Sequence, residues 1–262
     1  MLRNLFLFVF FLPLLVTAQD NYEIQVYASP TMDKGTTIFE LHSNYTFVGE
    51  KDLKGTVRPS YHSLHETVEI THGITDNFEL GFYIFTNATH PYGWQYVGSH
   101  IRPRISAPTR WKLPVGLSLS AEIGFQRKEY SSETWSVELR PIIDKQWDQL
   151  YISLNPVLGF QLKGEQPASA PSFAPNCKAA WSLSKKISLG AEYYGDLGPV
   201  NHFDPASEQS QALFAVVDLY LHPDWEFNFG TGWGLTPGTD GFNAKLILGR
   251  HINWKKRKPS GK

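Results

Sequence analysis

Apolar and polar residues alternate along nearly the whole sequence, and this alternation limits the possible folds more than any other feature. In 115–127, for example, Leu117, Leu119 and Ile123 occupy odd positions and are apolar, whereas Ser118 and its even-numbered neighbours are small or polar. A period of two residues indicates a β-strand whose two faces differ chemically, because successive side chains point to opposite sides. Helical spacing is almost absent after residue 30. We therefore predict an all-β fold.

The alternating segments are long for a soluble protein. We predict twelve strands, mostly 10 to 13 residues in length: 36–47, 62–73, 78–87, 95–106, 115–127, 133–143, 150–161, 171–182, 187–196, 210–220, 226–234 and 241–254. Strands of soluble domains have a typical length of about 5–6 residues, whereas strands that cross a bilayer at a tilt need about 9–11. The lengths therefore favour a transmembrane antiparallel up-and-down β-barrel of about 12 strands. A further short strand at 23–27 is expected to pair at the periplasmic rim without spanning.

The connections between these strands alternate in length. Tight turns are predicted at 75–77, 145–149, 184–186 and 223–224, and longer loops at 48–61, 88–94, 162–170 and 197–209. Outer-membrane barrels have short periplasmic turns and longer extracellular loops. An even number of strands then returns the chain to the side on which it began, so we expect both termini in the periplasm of a bacterial cell.

The eight tryptophans support a membrane barrel over a secreted soluble β-protein, which is the alternative fold. Six of them lie within about two residues of a predicted strand end, and Trp147 and Trp111 lie three and four residues from one. Trp94, Trp135 and Trp233 fall at the long-loop side, and Trp111, Trp147, Trp181, Trp225 and Trp254 fall at the short-turn side. Indole rings prefer the headgroup level of a bilayer, so two aromatic belts are expected of a barrel. A soluble sandwich would place its tryptophans in the middle of its strands.

The first residues have the organisation of an export signal. Arg3 supplies a positive charge, 5–16 is an apolar run, and 16–18 (Val-Thr-Ala) fits a small-residue cleavage site. An uncleaved membrane anchor is the alternative, but a spanning helix needs about 20 apolar residues. We therefore divide the chain into a signal peptide at 1–18, an outer-membrane barrel at 19–254 and a basic tail at 255–262.

Composition excludes several other classes of protein. A formal charge of −1 gives no electrostatic reason to expect nucleic acid as a partner. The single cysteine, Cys177, excludes a disulfide framework or a zinc ribbon. Charged residues make up 19% of the chain, below the average of about 25% for soluble domains. The expected partners are outer-membrane lipid and a small-molecule solute, and we expect a monomer.

A hairpin at 65–83, with the polar turn Thr75-Asp76-Asn77, carries a resemblance to a known family. Together with 40–44, which reads Glu-Leu-His-Ser-Asn, this hairpin resembles the bacterial outer-membrane family of the MetA pathway of phenol degradation. The resemblance covers about residues 20–105, and it implies a transport barrel. The implied function is a channel or transporter for small solutes, with hydrophobic or aromatic compounds among the candidates.

Enzymatic readings find little support in the sequence. Outer-membrane barrel enzymes hold Ser and His on their strands, and a nucleophile needs a base within hydrogen-bond reach. Alternation sends Ser43 to the face opposite His42 and Asn44, and Ser136 and Glu138 share an inward face without a histidine. We therefore expect no catalytic residues and a protein that is not an enzyme.

A metal site or cofactor is not expected either. The nine histidines are scattered, and His42 with His65 on the neighbouring strand is the one plausible inward pair. Inward histidines are more often members of polar networks than metal ligands.

Polar and charged residues on the inward face of the first four strands form a candidate lumen network. Its members are Glu40, His42, His65, Glu69, Glu79, His100, Arg102 and Arg104. Adjacent strands are only about 4.8 Å apart, so the arginines can relieve the repulsion between the carboxylates. Two readings stay open: the network packs the lower lumen, or it forms a charged constriction that screens solutes.

We therefore predict a monomeric outer-membrane barrel that passes small solutes. Eight strands leave an interior filled by side chains and 16 to 18 leave an aqueous channel, so twelve predict a narrow lumen. The alternative is a closed structural or lipid-contacting barrel, and an outer-membrane barrel enzyme is a less favoured third reading.

Overall fold

The computed structural model describes residues 21–164 and 170–254, and nearly all of their regular structure is β-strand. The strands are β1 (Thr36–Val48), β2 (Ser63–Thr75), β3 (Phe78–Thr89), β4 (Gly93–Ser106), β5 (Gly116–Gln126), β6 (Glu133–Trp147), β7 (Leu150–Gly164), β8 (Ser172–Ser184), β9 (Ile187–Asp196), β10 (Ser210–Leu219), β11 (Trp225–Gly234) and β12 (Phe242–Asn253). Each strand pairs with its neighbours in sequence, and β1 pairs with β12 to close a barrel. The predicted twelve-stranded antiparallel transmembrane barrel is confirmed.

A turn of 3-10 helix, Thr109–Trp111, connects β4 to β5. Among the described residues, no helix is long and apolar enough to cross a membrane. The predicted signal peptide at 1–18 and the predicted basic tail at 255–262 lie outside the described residues.

The predicted strand bounds differ most from the structure at the end of β6. The predicted turn at 145–149 is shorter, because Lys145, Gln146 and Trp147 continue the pairing with β7. Asp148 then adopts a left-handed conformation with φ of 44°. Positive φ is what a tight two-residue hairpin turn requires, and Asp tolerates it better than most residues.

The strands expose their apolar face and bury their polar face, which is the reverse of the pattern in a soluble domain. On β5, Leu119 and Ile123 are 46% and 45% exposed, whereas Ser120 and Glu122 are buried. A soluble protein would bury the leucine and isoleucine and expose the glutamate. The apolar face therefore points outward, towards lipid, and the polar face lines the lumen.

All eight tryptophans are exposed, and they lie at or near strand ends as predicted. Trp135 and Trp147 lie near the two ends of β6, twelve residues apart. At about 3.4 Å per residue and a tilt of about 40°, this separation corresponds to a height of roughly 30 Å. The two belts therefore border a band of about the thickness of a bilayer's hydrocarbon core.

The predicted short strand at 23–27 is wrong. Residues 21–32, which we call the luminal segment, run through the interior of the barrel and belong to no strand. Their backbone oxygens accept hydrogen bonds from polar side chains of the barrel wall, and a backbone N–H donates to another such side chain. They form no ladder with a strand at the rim. Backbone polar groups that leave water need partners, and the inward polar face supplies them.

The luminal segment runs from the long-loop end of the barrel to the short-turn end. Asn21 donates a hydrogen bond to Asp240 in the loop between β11 and β12, with a distance of 2.7 Å. Thr31 lies at the other end, within hydrogen-bond distance of the backbone oxygen of Asp76 in a short turn. Asn253 also lies at the short-turn end, because it pairs with Thr36. The two ends of the described chain therefore lie at opposite ends of the barrel, and the expectation that both termini are periplasmic stays a prediction.

The outward face of β5 gives a test of the lipid boundary. Leu119 pairs with Pro141, which is six residues from both Trp135 and Trp147, so Leu119 lies near the middle of the apolar band. We expect Leu119→Arg to lower the free energy of unfolding by about 2–4 kcal/mol, since a charge at mid-depth faces hydrocarbon. The neighbouring Ser118→Arg should lower it much less, because Ser118 points into the polar lumen. Urea unfolding in lipid vesicles measures both, and equal losses would contradict the assignment of the faces.

Candidate functional site

The eight members of the predicted lumen network all lie buried on the inner face of β1 to β4. Five of them form one connected group of charged side chains: His42, Glu69, Glu79, Arg102 and Arg104. The other three have different neighbours.

Arg102 lies at the centre of the connected group. Its Nη2 donates to Glu69 Oε1 at 2.5 Å, and its Nη1 donates to Glu79 Oε1 at 3.2 Å. Its Nε donates to the hydroxyl of Tyr83, which the sequence analysis did not include. A guanidinium has five N–H donors in one plane, so a single arginine can hold two carboxylates on neighbouring strands.

Arg104 connects the barrel wall to the luminal segment. Its Nε donates to Glu79 Oε1 at 2.7 Å, while Nη1 and Nη2 each donate, at 3.0 Å, to the backbone oxygens of Ala28 and Pro30. The backbone N–H of Met32 donates to the other oxygen of Glu79 at 2.6 Å. The short-turn end of the luminal segment is therefore held by the predicted network itself.

Glu40, His65 and His100 lie outside this connected group. His100 Nδ1 lies 2.5 Å from Glu122 Oε1 on β5. His65 packs edge-on against the ring of Tyr22, with 4.9 Å between the ring centres. Glu40 lies directly opposite Glu69 in the strand register. The expected inward pair of His42 and His65 is not brought together as one site.

Further anchors hold the middle of the luminal segment. Lys245 Nζ donates to the backbone oxygen of Ile24 at 2.9 Å. The backbone N–H of Tyr27 donates to Asn155 Oδ1 at 2.7 Å, and the hydroxyl of Ser153 donates to the backbone oxygen of Tyr27 at 2.7 Å. These partners come from β7 and β12, so the segment is held from several sides of the barrel.

Glu23 is an acidic side chain within the luminal segment. It accepts a hydrogen bond from the Tyr27 hydroxyl, and Arg140 Nη1 lies 3.8 Å from its carboxylate. Glu23 is therefore held by one hydroxyl of its own segment and lies near one arginine of the wall.

A second charged group lies on β8, β9, β10 and β12, and the sequence analysis missed it. Lys178 Nζ lies 3.1 Å from Glu192 Oε1 and 2.9 Å from Asp218 Oδ2, and Lys245 Nζ donates to Glu192 Oε2. The alternation places all four side chains on the inward face, and Lys178 is directly opposite Glu192 in the register. The alternation on β8 to β12 is therefore the sequence signal that identifies this group.

Two cavities flank the luminal segment. The outer cavity, of about 440 Å³, lies at the long-loop end, and Asn21, Arg58 and Tyr130 are among its lining residues. The inner cavity, of about 740 Å³, opens towards the short turns, and Tyr27 and Lys178 are among its lining residues. Both volumes fall in the range of small-molecule sites, roughly 300–1,000 Å³.

Comparison with known proteins identifies the fold and no family. No protein-family model matches the chain, and no curated protein matches it. A crystal structure of an outer-membrane channel from Pseudomonas putida F1 aligns with a TM-score of 0.60 and 12% identity, over 88% of this chain and 100% of that one. The KdgM porin aligns with a TM-score of 0.52 and 10% identity, over 81% of this chain and 98% of that one.

The NanC porin aligns with a TM-score of 0.50 and 9% identity, over 80% of this chain and 97% of that one. At these identities the similarity concerns the fold alone. The chain therefore has the fold of bacterial outer-membrane channels and porins, while the resemblance to the MetA phenol-degradation family stays a prediction.

The central arginine gives a test of the network. We expect Arg102→Ala to lower the free energy of unfolding by about 3–5 kcal/mol, because Glu69 would be left buried without its cation and Glu79 would keep only Arg104. Arg250→Ala is the matched control, since Arg250 is exposed beside the ring of Trp225. Denaturant unfolding of both variants in the same detergent measures the difference. A similar loss in the two variants would show that the network does not hold the barrel.

Proposed function

We propose that the barrel is an outer-membrane channel for small solutes and that the luminal segment obstructs its resting lumen. The observation that carries this proposal is the pair of cavities, which open towards opposite ends of a polar interior and have the luminal segment between them. A solute that enters either cavity meets polar and charged side chains, which suit hydrated molecules. Passage then requires the segment to shift towards one wall.

The bonding of the luminal segment is compatible with such movement. A strand of the wall exchanges a full ladder of backbone hydrogen bonds with two neighbours, whereas the segment is bonded mainly to side chains. Each hydrogen bond contributes about 0.5–1.5 kcal/mol net, because water replaces the lost partner when the bond breaks. Water in the two cavities can solvate the groups that a shift of the segment would release.

The closed structural barrel is the second candidate. It is favoured by the number of anchors on the segment, since Ser29 alone bonds Asp144 through both its N–H, at 2.8 Å, and its hydroxyl, at 2.6 Å. A barrel of this kind would show no conductance under any condition. The two candidates therefore differ in a direct measurement.

We also infer that the barrel acts without catalysis. Ser43 donates its hydroxyl to Glu66 at 2.5 Å, on the face away from His42. Nucleophilic catalysis by a serine needs an adjacent base, usually an imidazole. The neighbour of Ser43 is instead a carboxylate. A lipid-hydrolysis assay on the purified barrel tests this inference.

The resemblance over residues 20–105 supports aromatic compounds as the solute class within this channel. The outer cavity fits that class, because the guanidinium of Arg58 lies 3.9 Å from the ring centre of Tyr92 and 5.2 Å from that of Tyr130. A guanidinium beside aromatic rings can bind a flat anion, because the anion stacks on the rings and forms an ion pair with the arginine. We expect proteoliposomes to pass benzoate faster than hexanoate, and Arg58→Ala to remove this preference. Equal rates in the unmodified barrel would contradict the aromatic class but leave the channel proposal intact.

A reversible cross-link tests the movement of the luminal segment. The pair Ser29→Cys and Asp144→Cys, in a Cys177→Ser background, replaces a direct contact with a disulfide. We expect discrete conductance steps in planar bilayers for the reduced protein and at least a tenfold loss of open events after oxidation. The physical reason is that the disulfide fixes the segment across the lumen.

The reduced state of the same protein is the control for the two substitutions. Equal conductance in both redox states would show that solutes pass the segment without moving it. Absence of conductance in the reduced, the oxidised and the unmodified protein would favour the closed structural barrel.

A further inference from the structure

Three potential metal ligands converge on the lumen face of β1 and β2. Glu40, His42 and Glu69 each offer a ligand atom, and these atoms all lie within 4.8 Å of one another. All three residues are buried, with 7%, 0% and 0% of their surface exposed. The cluster contains two carboxylates and one imidazole, and one of the carboxylates, Glu69, is also paired with Arg102.

The strand geometry explains why these side chains meet. Glu40 and His42 are two residues apart on β1, so they project from the same face. Glu69 lies directly opposite Glu40 on β2, and adjacent strands are about 4.8 Å apart. The three ligands therefore occupy fixed positions on one pair of strands, which a loop-borne site would not guarantee.

Several polar atoms of the cluster have no hydrogen bond. Within the described part of the chain, neither ring nitrogen of His42 has a hydrogen-bond partner, and the same is true of Glu69 Oε2. A buried polar atom without a partner costs about 1–3 kcal/mol, so most native structures avoid it. Two of these atoms face each other, since His42 Nε2 lies 3.3 Å from Glu69 Oε2.

That separation fits two ligands of a single ion. Nitrogen and oxygen ligands lie about 2.1 Å from zinc, and two of them in a tetrahedral arrangement are about 3.4 Å apart. The other oxygen of Glu69 is held by Arg102 and by the hydroxyl of Thr71, the latter at 2.7 Å. This outer support leaves Oε2 directed at His42, as groups behind metal-binding carboxylates commonly do.

We propose that Glu40, His42 and Glu69 form a binding site for one divalent transition-metal ion of the zinc class. Imidazole with carboxylates suits zinc and its neighbours, whereas calcium takes six to eight oxygen ligands. A dication also neutralises Glu40, which no described cation contacts. Glu40 lines the inner cavity, so an ion and a water ligand have access from the short-turn end.

The competing arrangement is an ion pair without metal. A protonated His42 would donate from Nε2 to Glu69 and satisfy one unpartnered contact. It would leave the second carboxylate, Glu40, as it is, which explains less of the cluster. The two arrangements predict different results in a zinc titration, because only the first binds one ion per chain. Neither result depends on whether the barrel conducts.

Zinc titration of the full-length, chelator-treated barrel in detergent tests the proposal. Isothermal titration calorimetry should show one zinc ion per chain, and excess calcium should not displace it. Cobalt should give the visible absorption bands of a tetrahedral or five-coordinate ion. Glu40→Gln and His42→Ala should each weaken zinc binding at least tenfold.

The matched control is His65→Ala, which removes a buried histidine one step along the same pair of strands. It should keep the zinc affinity of the unmodified barrel. Absence of stoichiometric binding, or equal weakening in His65→Ala and Glu40→Gln, would overturn the site. If His42→Ala does not fold, the isosteric Glu40→Gln variant still decides, because it removes a ligand charge without opening a cavity.

Discussion

The structure depends on one constraint, which is that no backbone N–H or C=O group can stay unpaired in hydrocarbon. A single sheet meets this requirement only if it has no edge, and the pairing of β1 with β12 removes the edge. Closure then fixes the faces, because side chains alternate between lipid and lumen along each strand. The exposed outward leucines and the buried inward glutamates are consequences of the same closure.

The closed wall encloses a lumen that has to accommodate many charges. Two groups of charged side chains lie on different walls, and each balances two cations against two carboxylates. One contains Arg102, Arg104, Glu69 and Glu79, and the other contains Lys178, Lys245, Glu192 and Asp218. Buried charges are tolerated when they are paired in this way. Glu40 belongs to neither group, so its carboxylate has no arginine or lysine paired with it among the described ion pairs. This is why we assign it to the proposed metal site.

The sequence predicted the barrel well and its contents less well, for physical reasons. Strand number and length follow from alternation, which is a local signal. The luminal segment alternates too, with Tyr22, Ile24 and Val26 buried, so its sequence resembles a strand. Its partners lie on strands far apart in the sequence, and no local pattern records that. The contact of Lys245 with Glu192 is of the same kind, because β9 and β12 are separated by β10 and β11 and do not pair.

The luminal segment and the arginines of the wall depend on each other. The ring of Tyr27 lies over three guanidinium groups, with distances of 4.7 Å to Arg102, 5.5 Å to Arg104 and 5.1 Å to Arg140. An aromatic face stabilises cations at this range, so the docked segment shields the arginines from the lumen. In the channel that we propose, a shift of the segment would uncover the same guanidinium groups along the solute path. The two readings of the lumen network then describe two states of the same residues. The arginines that pack the closed lumen would line the open lumen and screen solutes there.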